Sequence, residues 1–565
     1  MKSAHNLIRL VLLSPLCLVL GYALAQPGPQ EFVRASGPNL VLGSETFLLK
    51  AICFANSYEG ISDPNDLLQS SHHTEDDFRT VAELGFNAVR FAFTGDWFER
   101  DPDAFFRWLD QNLAWARGLG IYLILDLHIP IGGYWLSANS DRRDFRLWTD
   151  AGIRRKNVDL WKALAARYKN ETQIAAYDIL NEPVTADSTG QQWQDLANDI
   201  IAAIRSEDPS HLIVVQRLYG VSRSYSTHGA QTQFLVNDGN VVYDFHFYEP
   251  VDYTHQFASW LERPTGDGGK YPDNNTFLPT GAQQLIVTAA QETPVPFTPA
   301  DDWQEYRSAK FKVTDPEIVM GLPVMIVGGE SPDTVYFDDF AVREFNAAGE
   351  YIGDVVEDPL SQESIWSWWT WNNPPERRHA DFTRVVNFGR TDDHSLAIAQ
   401  PAGPGFSGWS SDHRWFPVKQ GHAYQIVGYM KRAAADAEAS SDGLSAYFDI
   451  GFYGNPSNGS EAGFVARNKE YLRQEFLKYY QFSETHDVPM SVLEFGLMKQ
   501  CFDSGKGGTR WVSDSLDIFK QHNVSFAYWN YHGDRMGLYL SPANTEVGLP
   551  NQPLIDVLRD RLGAW

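Results

Sequence analysis

Cysteine and the basic residues are both scarce in this 565-residue sequence. Lysine and arginine together number 46 against 72 aspartates and glutamates, so the formal net charge is −26 at pH 7. Such a chain has little with which to neutralise phosphates, and this excludes nucleic acid as an expected partner. An acidic polysaccharide is disfavoured less strongly, because a local basic cleft could still bind one.

The three cysteines allow at most one disulfide in the mature chain. Cys17 belongs to an N-terminal apolar run, so Cys53 and Cys501 form the only pair that would remain. Both lie next to predicted strands, and an exported protein could oxidise them to a disulfide. Two separate buried thiols are the alternative, and the sequence does not decide between the two.

The first 25 residues have the features of a secretory signal peptide. Lys2 and Arg9 provide a basic start, an apolar run follows from Leu10 to Leu24, and Ala23–Ala25 form a small-x-small cleavage site. The apolar run is short for a bilayer span of about 20 residues, which disfavours a transmembrane anchor. We therefore expect removal of residues 1–25, a secreted or periplasmic protein, and no membrane partner after cleavage.

Aromatic residues, by contrast, are abundant. They make up 14% of the chain and include 18 tryptophans, more than a plain hydrophobic core requires. Aromatic faces stack on the C–H faces of sugar rings, so this excess suits a carbohydrate-binding surface. The hydrophobic fraction of 43% supports sizeable cores, and the length exceeds that of one ordinary domain.

Short apolar runs alternate with amphipathic helices from Leu48 to Tyr248 and again from Asn468 onward. Near-continuous apolar strands separated by helices are typical of a parallel sheet. Six such strands precede the interruption and two follow it, which predicts an α/β fold, the (β/α)₈ TIM barrel. We assign residues 26–275 to the first part of this barrel and residues 461–565 to the last part. The connection between the fifth and sixth strands contains no predicted helix.

Residues 276–460 interrupt the barrel after its sixth strand. Helical periodicity nearly vanishes there, and short alternating segments such as "VYFDDFAVREF" and "HAYQIVGYMKRA" predict a β-sandwich. The run "RPTGDGGKYPDNN" that leads into the segment is rich in glycine, proline and asparagine and is linker-like. Because the insertion leaves the barrel just after Tyr248 and Glu249, we expect it to border the face on which the strands end.

Two glutamates stand at the ends of predicted barrel strands. In "AAYDILNEP" the proline ends the fourth strand just after Asn181 and Glu182, and "SVLEFG" places Glu494 at the end of the seventh. The strands of a parallel barrel end on one face, where active sites lie. Two carboxyl groups about 5–5.5 Å apart cleave glycosidic bonds by double displacement. The pair therefore predicts a retaining glycosidase, whose chemistry needs neither a cofactor nor a metal.

The motifs "NEP" and "LEFG" resemble those of glycoside hydrolase family 5, a family of retaining (β/α)₈ glycosidases, and the resemblance covers both barrel segments. It implies that Glu182 is the acid/base, that Glu494 is the nucleophile and that Asn181 hydrogen-bonds the 2-hydroxyl of the sugar. It also implies supporting roles for five further side chains: Arg90 keeping the nucleophile ionised, His128 near the reacting sugar, His246 near the acid/base, Tyr248 near the nucleophile, and Trp529 as the floor of the subsite.

Each of these residues alone has a plainer interpretation. Arg90 could be a structural ion-pair partner, His128 a buried histidine and Trp529 a core residue, but the joint pattern at six strand ends favours the functional interpretation. Glu249 also precedes a proline at a strand end, yet the family pattern gives it no role. Four aromatics in predicted catalytic-side loops could form further sugar subsites or merely pack: Trp97, Tyr134, Trp135 and Trp148. Helical spacing predicts core positions for three others: Trp108, Trp115 and Trp161.

The inserted segment resembles the galactose-binding-like sandwiches of carbohydrate-binding modules, with the two halves in circularly permuted order. The tryptophans of "IWSWWTWNN" (residues 365–373) could stack on sugars or fill the sandwich core and its interface with the barrel. Asp338 and Asp339 could bind structural calcium or could be surface carboxylates without a ligand.

These observations predict an enzyme that hydrolyses β-linked glucan-type poly- or oligosaccharides, like a cellulase or endo-β-1,4-glucanase. A β-mannanase or an exo-acting β-glucosidase of the same fold is the alternative activity. A catalytically silent carbohydrate-binding protein is the alternative of a different class, and the retention of both glutamates with their neighbours argues against it.

Overall fold

Eight parallel strands close into a barrel in the computed structural model of the chain. Each strand pairs with its neighbours in sequence order, and the eighth pairs with the first. The eight barrel strands are Lys50–Phe54, Ala88–Thr94, Tyr122–Ile129, Ile174–Asp178, Leu212–Gln216, Val241–Phe247, Met490–Phe495 and Ser525–Tyr528. The predicted (β/α)₈ fold is confirmed.

The structure describes residues 31–56, 73–133, 145–258, 268–279, 283–289, 300–329, 333–356, 368–373, 380–392, 394–399, 405–411, 414–434, 444–454, 464–533, 535–540 and 548–564. The predicted signal peptide, Tyr134 and Trp135 lie outside these ranges.

Helices surround the barrel and connect most of its strands. Asp101, Asp150 and Asn468 cap three of them, each side chain accepting a backbone N–H of the first turn. Residues 217–240, between the fifth and sixth strands, contain no helix, as the sequence predicts. The helices are Glu75–Glu83, Gly95–Arg100, Pro102–Gly118, Arg146–Thr149, Ala151–Tyr168, Gln191–Arg205, Val251–Thr254, Lys469–His486, Gly508–Gln521 and Gln552–Gly563, with a 3₁₀ turn at Lys499–Phe502.

The barrel core lies between the strands and this helical layer. Trp108 and Trp161 are fully buried in it, and Trp115 packs partly buried against it, as their helical spacing predicts. Each of the described helices is too short or too polar to cross a bilayer.

A small antiparallel sheet precedes the first barrel strand. It consists of Val33–Ser36, Asn39–Leu42 and Glu45–Thr46, and the Ala35 N–H donates to Oδ1 of Asn240 at 2.9 Å. Because Asn240 precedes the sixth barrel strand, this sheet lies at the barrel end opposite to the end where the strands finish. The sequence pattern did not predict it.

Two antiparallel sheets lie between the sixth and seventh barrel strands in the chain. The six-stranded sheet contains Gln284–Thr288, Met320–Gly328, Trp368–Asn373, Phe406–Ser411, Phe416–Pro417 and Ser445–Gly454. The seven-stranded sheet contains Gln304–Arg307, Phe311–Lys312, Thr334–Phe345, Tyr351–Val356, Asp381–Val386, His394–Ala399 and Ala423–Ala433. We call these two sheets the inserted sheets.

One hydrophobic core joins the inserted sheets. It includes Met325 and Phe448 from one sheet and Phe337 and Ile426 from the other. On the seven-stranded sheet, Asp338 accepts the Arg390 backbone N–H, and the guanidinium of Arg390 lies 2.5 Å from a carboxylate oxygen of Asp339. The carboxylates suggested as calcium ligands are thus engaged by the chain itself, whereas the galactose-binding-like resemblance stays a prediction.

A pair of antiparallel strands, Asp273–Pro279 and Phe464–Arg467, connects the inserted sheets to the barrel. We call this pair the stem. Leu278 and Val465 pack with the barrel core, whereas Phe464 packs against a cluster of the six-stranded sheet. The end of the predicted linker run, from Asp273 onward, therefore belongs to a strand, which continues to Leu278 beside the barrel core. The domain boundaries at residues 275 and 460 remain predictions.

The two described cysteines are both free and buried, so the disulfide alternative is wrong. The Cys53 thiol lies 3.6 Å from the carbonyl of Leu493, and the Cys501 thiol donates to the carbonyl of Tyr253 at 3.2 Å. Burial raises the pKa of both thiols, that of Cys501 to about 12, so both are protonated and unreactive near neutral pH.

Candidate active site

A buried arginine holds the carboxylate at the end of the seventh strand. Arg90 lies in the second barrel strand and is fully buried. Its Nη1 donates to Oε1 of Glu494 at 2.7 Å, and Oε2 of that carboxylate accepts from the Tyr248 hydroxyl at 3.0 Å. Two donors from different strands fix the orientation of this carboxylate, as attack along one direction requires.

The same guanidinium also contacts groups of the third and fourth strands. It lies 2.9 Å from Asp178 and 3.1 Å from Asp126, and it donates to Oδ1 of Asn181 at 2.8 Å. Burial favours the neutral form of Asp126, but Arg90 and His128 outweigh it and lower the pKa of this carboxyl. For Asp178 burial prevails and raises the pKa to about 7.

Glu182 occupies the other side of the site, just beyond the fourth strand. That strand ends at Asp178, earlier than the pattern predicts, and Glu182 adopts a left-handed backbone conformation with φ of +40°. Its N–H donates to Oε1 of Gln216 at 2.8 Å. Burial raises the pKa of Glu182 to about 7. Such a carboxyl still carries a proton near neutral pH, as a general acid must.

His246 lies between the two glutamates. Its Nδ1 is 2.7 Å from Oε1 of Glu182 and 3.3 Å from Oε2 of Glu494, and its backbone N–H donates to the Tyr219 hydroxyl at 2.7 Å. Burial lowers the pKa of His246 to about 3, so the imidazole is neutral near pH 7 and carries one N–H. It therefore links the two carboxyl groups without adding a charge.

Trp529 and His128 form one wall of the site. Their rings stack with centroids 5.3 Å apart, and Nδ1 of His128 lies 2.8 Å from Oδ2 of Asp126. Gly496 lies directly against this wall, because a Cβ there would be 2.4 Å from the Trp529 carbonyl oxygen. The glycine of "LEFG" thus lets the ends of the seventh and eighth strands approach each other closely.

The two glutamates are close enough to act on one bond. One ligand atom from each of Glu182, His246 and Glu494 lies within 4.8 Å of the others. This distance suits the separation of about 5–5.5 Å found in retaining glycosidases better than the roughly 6.5–9.5 Å of inverting ones. The same three atoms could hold a cation, but double displacement between two carboxyls requires none.

All eight site residues predicted from the sequence come together at the barrel end where the strands finish. They are Arg90, His128, Asn181, Glu182, His246, Tyr248, Glu494 and Trp529. Of the additional aromatics, Trp97 is buried edge-on against Trp108 in the barrel core, so it cannot stack on a sugar. Trp148 is half-buried against the same core.

Asp126, Asp178 and Gln216 are polar residues of the site that the sequence does not predict. Asp178 accepts a hydrogen bond from Arg90. Gln216 ends the fifth strand, and its Nε2 donates to both carboxylate oxygens of Asp178 at 3.1 and 2.9 Å. The available signal was a polar residue ending each of two apolar strands, "AAYD" and "LIVVQ". The quoted motifs single out neither Asp178 nor Gln216, and a polar residue at a strand end does not by itself indicate a site.

Residues 55–290, less than half of the chain, match the family model for Cellulase (glycosyl hydrolase family 5). Endoglucanase C of Acetivibrio thermocellus is 32% identical over 195 residues, which cover 34% of this chain and 54% of that protein. Cellodextrinase A of Ruminococcus flavefaciens is 28% identical over 36% of this chain and 59% of its own length. The chain thus spans little more than half the length of these relatives.

Among solved structures, the endoglucanase Cel5A of Thermotoga maritima aligns with 90% of this chain and 97% of its own, at 14% identity and a TM-score of 0.44.

Proposed function

We propose that this chain, of which residues 55–290 match the model for cellulases of glycosyl hydrolase family 5, hydrolyses β-linked glucans with retention of configuration. The observation that carries this proposal is the Glu182–His246–Glu494 cluster. The Glu182 carboxyl is partly buried and its pKa is raised to about 7. The Glu494 carboxylate accepts hydrogen bonds from Arg90 and Tyr248, and one oxygen of each glutamate lies within 4.8 Å of the other.

In the first step, Glu494 attacks the anomeric carbon of the sugar while Glu182 donates its proton to the departing glycosidic oxygen. Arg90 and Tyr248 hold the attacking carboxylate in place through both of its oxygens. Asn181 accepts a hydrogen bond from Arg90, and we assign it the bond to the 2-hydroxyl of the same sugar. The result is a glycosyl-enzyme ester on Glu494 and a free leaving alcohol.

In the second step, the carboxylate of Glu182 removes a proton from water, which attacks the same carbon and releases Glu494. The neutral imidazole of His246 stays in contact with Glu182 through both states. The contact is made through Nδ1 and needs no charge on the imidazole.

The names of the relatives support the proposed substrate class. Their names include endoglucanase, cellodextrinase and probable glucan 1,3-β-glucosidase, and these share a β-linked glucose polymer or oligomer. We assign this chain a β-glucan substrate with endoglucanase-like action. The stacked wall of His128 and Trp529 suits the apolar face of such a sugar. We also propose that the N-terminal segment directs export and that the inserted sheets bind carbohydrate.

The decisive experiment follows hydrolysis of an aryl β-cellobioside by proton NMR. We expect the first sugar product to be the β anomer, because two inversions restore the starting configuration. Glu494→Gln should lower kcat by more than about 10³-fold, since no nucleophile remains.

Asp503→Asn, an acidic residue near the 3₁₀ turn and away from the cluster, is the matched control and should keep full activity. An initial α anomer, or an inactive wild-type chain on aryl glycosides, barley glucan, xyloglucan and mannan alike, would refute the proposal.

A further inference from the structure

We propose that Gln216 is a positioning residue that holds the acid/base glutamate in its reactive geometry and connects it to the arginine that binds the nucleophile. This inference rests on the proposed function. Gln216 ends the fifth barrel strand, and its side chain is almost completely buried. It acts through the backbone of Glu182 rather than by touching the substrate.

The first support for this role is the backbone of Glu182. A non-glycine residue with φ of +40° is unusual and persists only where neighbouring groups hold it. The Glu182 N–H points away from the regular strand pairing, because the fourth strand ended at Asp178. Oε1 of Gln216 accepts this N–H at 2.8 Å. Loss of that acceptor would leave a largely buried donor without its bond.

The second support is the other end of the same amide. Nε2 of Gln216 donates to both carboxylate oxygens of Asp178, at 3.1 and 2.9 Å, and Asp178 in turn accepts from Nε of Arg90 at 3.0 Å. Arg90 reaches Glu494 at 2.7 Å. One buried path of hydrogen bonds and ion pairs therefore runs from the nucleophile to the backbone of the acid/base.

The backbone of Gln216 is also held. Its carbonyl accepts from Nε1 of the buried Trp193 at 2.9 Å, and the next residue, Arg217, donates its N–H to the carbonyl of Asp244 in the sixth strand. The amide group thus has one orientation, with its oxygen toward Glu182 and its nitrogen toward Asp178. Only an amide of this length can donate to a carboxylate at one end and accept a backbone N–H at the other.

The test compares two substrates in Gln216→Met, which keeps the side-chain length but removes both bonds. Displacement of the Glu182 carboxyl should slow hydrolysis when the leaving alcohol needs a proton. It should hardly change the rate when the leaving group needs none. We expect kcat/KM to fall about 10- to 100-fold on cellotetraose and less than about threefold on 2,4-dinitrophenyl β-cellobioside. A residue that only supports the fold would lower both values equally.

Gln173→Met is the matched control. Gln173 is also buried and donates its Nε2 to the carbonyl of Ile121 at 2.8 Å, but it precedes the fourth strand at the opposite end of the barrel. It should show no difference between the two substrates. If Gln216→Met does not fold, Gln216→Asn replaces it, because an amide one methylene shorter cannot reach both Glu182 and Asp178.

The outcomes separate this inference from the proposed function. An active wild-type enzyme with equal losses on both substrates, or with no loss, overturns the role of Gln216 and leaves the glycosidase assignment intact. An inactive wild-type enzyme overturns both. A selective loss on cellotetraose in a Gln216 variant, absent from Gln173→Met, supports the inference.

Discussion

Burial gives one glutamate of the site its acid character. Glu182 lies in a desolvated position whose effect exceeds that of the nearby positive charges, so its pKa rises to about 7. Glu494, by contrast, accepts bonds from Arg90 and Tyr248. Under the proposed mechanism, two identical side chains take different parts in one reaction because their surroundings differ.

This difference predicts the pH dependence of the reaction. Glu182 must be protonated for the first step, so kcat/KM on cellotetraose should fall as pH rises through about 7, approaching tenfold per pH unit. Glu182→Gln should remove this fall together with roughly 10²–10⁴-fold of the rate on cellotetraose. On a dinitrophenyl glycoside the variant should lose far less, since that leaving group needs no proton.

The matched control for this measurement is Glu83→Gln, an exposed helix position. It should keep the wild-type profile on both substrates. A fall in kcat/KM that persists in Glu182→Gln, or equal losses on the two substrates, would show that another group supplies the proton.

At the scale of the element, two adjacent residues follow the sixth strand and differ in their surroundings. Tyr248 belongs to the site, and Glu249 does not. Tyr248 donates to Glu494, whereas the charged neighbours of Glu249 are Glu475, Asp252, Lys478 and Arg467. Burial, reinforced by the two acidic neighbours, raises the pKa of Glu249 to about 7. A carboxyl whose pKa is raised on folding destabilises the folded state once the pH exceeds its unfolded value, and fully so above about 7.

Glu249→Gln should therefore stabilise the protein at pH 8 and leave it unchanged at pH 4. The expected gain in the free energy of unfolding at pH 8 is about 3 kcal/mol, measured by urea denaturation at both pH values. Activity should not change, because the side chain does not face the site. Glu83→Gln again serves as control and should show no pH-dependent gain. A loss of activity in Glu249→Gln would assign this residue a part in the site after all.

The elements that the sequence predicts well are those with a clear period or a matching motif. All eight barrel strands follow from their apolar runs, and the site residues follow from strand-end motifs. Met320–Gly328 escaped prediction because every residue in it is buried, so no alternation marks it. The contacts of Gln216 were not predictable for another reason. They depend on how close the end of the fifth strand lies to the end of the fourth, and a single sequence does not give this distance.

At the scale of the whole molecule, the stem decides how the inserted sheets are attached. Leu278 and Val465 are packed with the barrel core, and Arg467 forms two 3.0 Å bonds with Asp252, in the short helix that follows Tyr248. Phe464 packs with Met320 of the six-stranded inserted sheet and with Trp415, which precedes another of its strands. Such a joint restricts the orientation of the inserted sheets relative to the barrel. This favours the prediction that they form part of the substrate groove over the alternative of a freely moving module.

Two deletions distinguish these possibilities. Pro279 pairs with Phe464, so a short Gly-Ser turn can replace residues 280–463 and keep the stem. This variant should fold and hydrolyse soluble β-glucans with an altered chain-length preference, read from the oligosaccharide products. Removing residues 273–467 should also destabilise the barrel by about 2–5 kcal/mol, because core side chains are lost. An unchanged product pattern from the folded stem-retaining variant would refute a role in the groove.

The split of the barrel also matters during synthesis. After Phe247 leaves the ribosome, about 240 residues must follow before the seventh strand appears, which takes roughly 10–50 s at 5–20 residues per second. Until then the first and sixth strands are open edges, exposed to pairing with other chains. Glu494 lies in the seventh strand and is made only with the strands that close these edges. A nascent chain therefore carries Glu182 without Glu494, and under the proposed mechanism it becomes active only when the last two strands have closed the barrel.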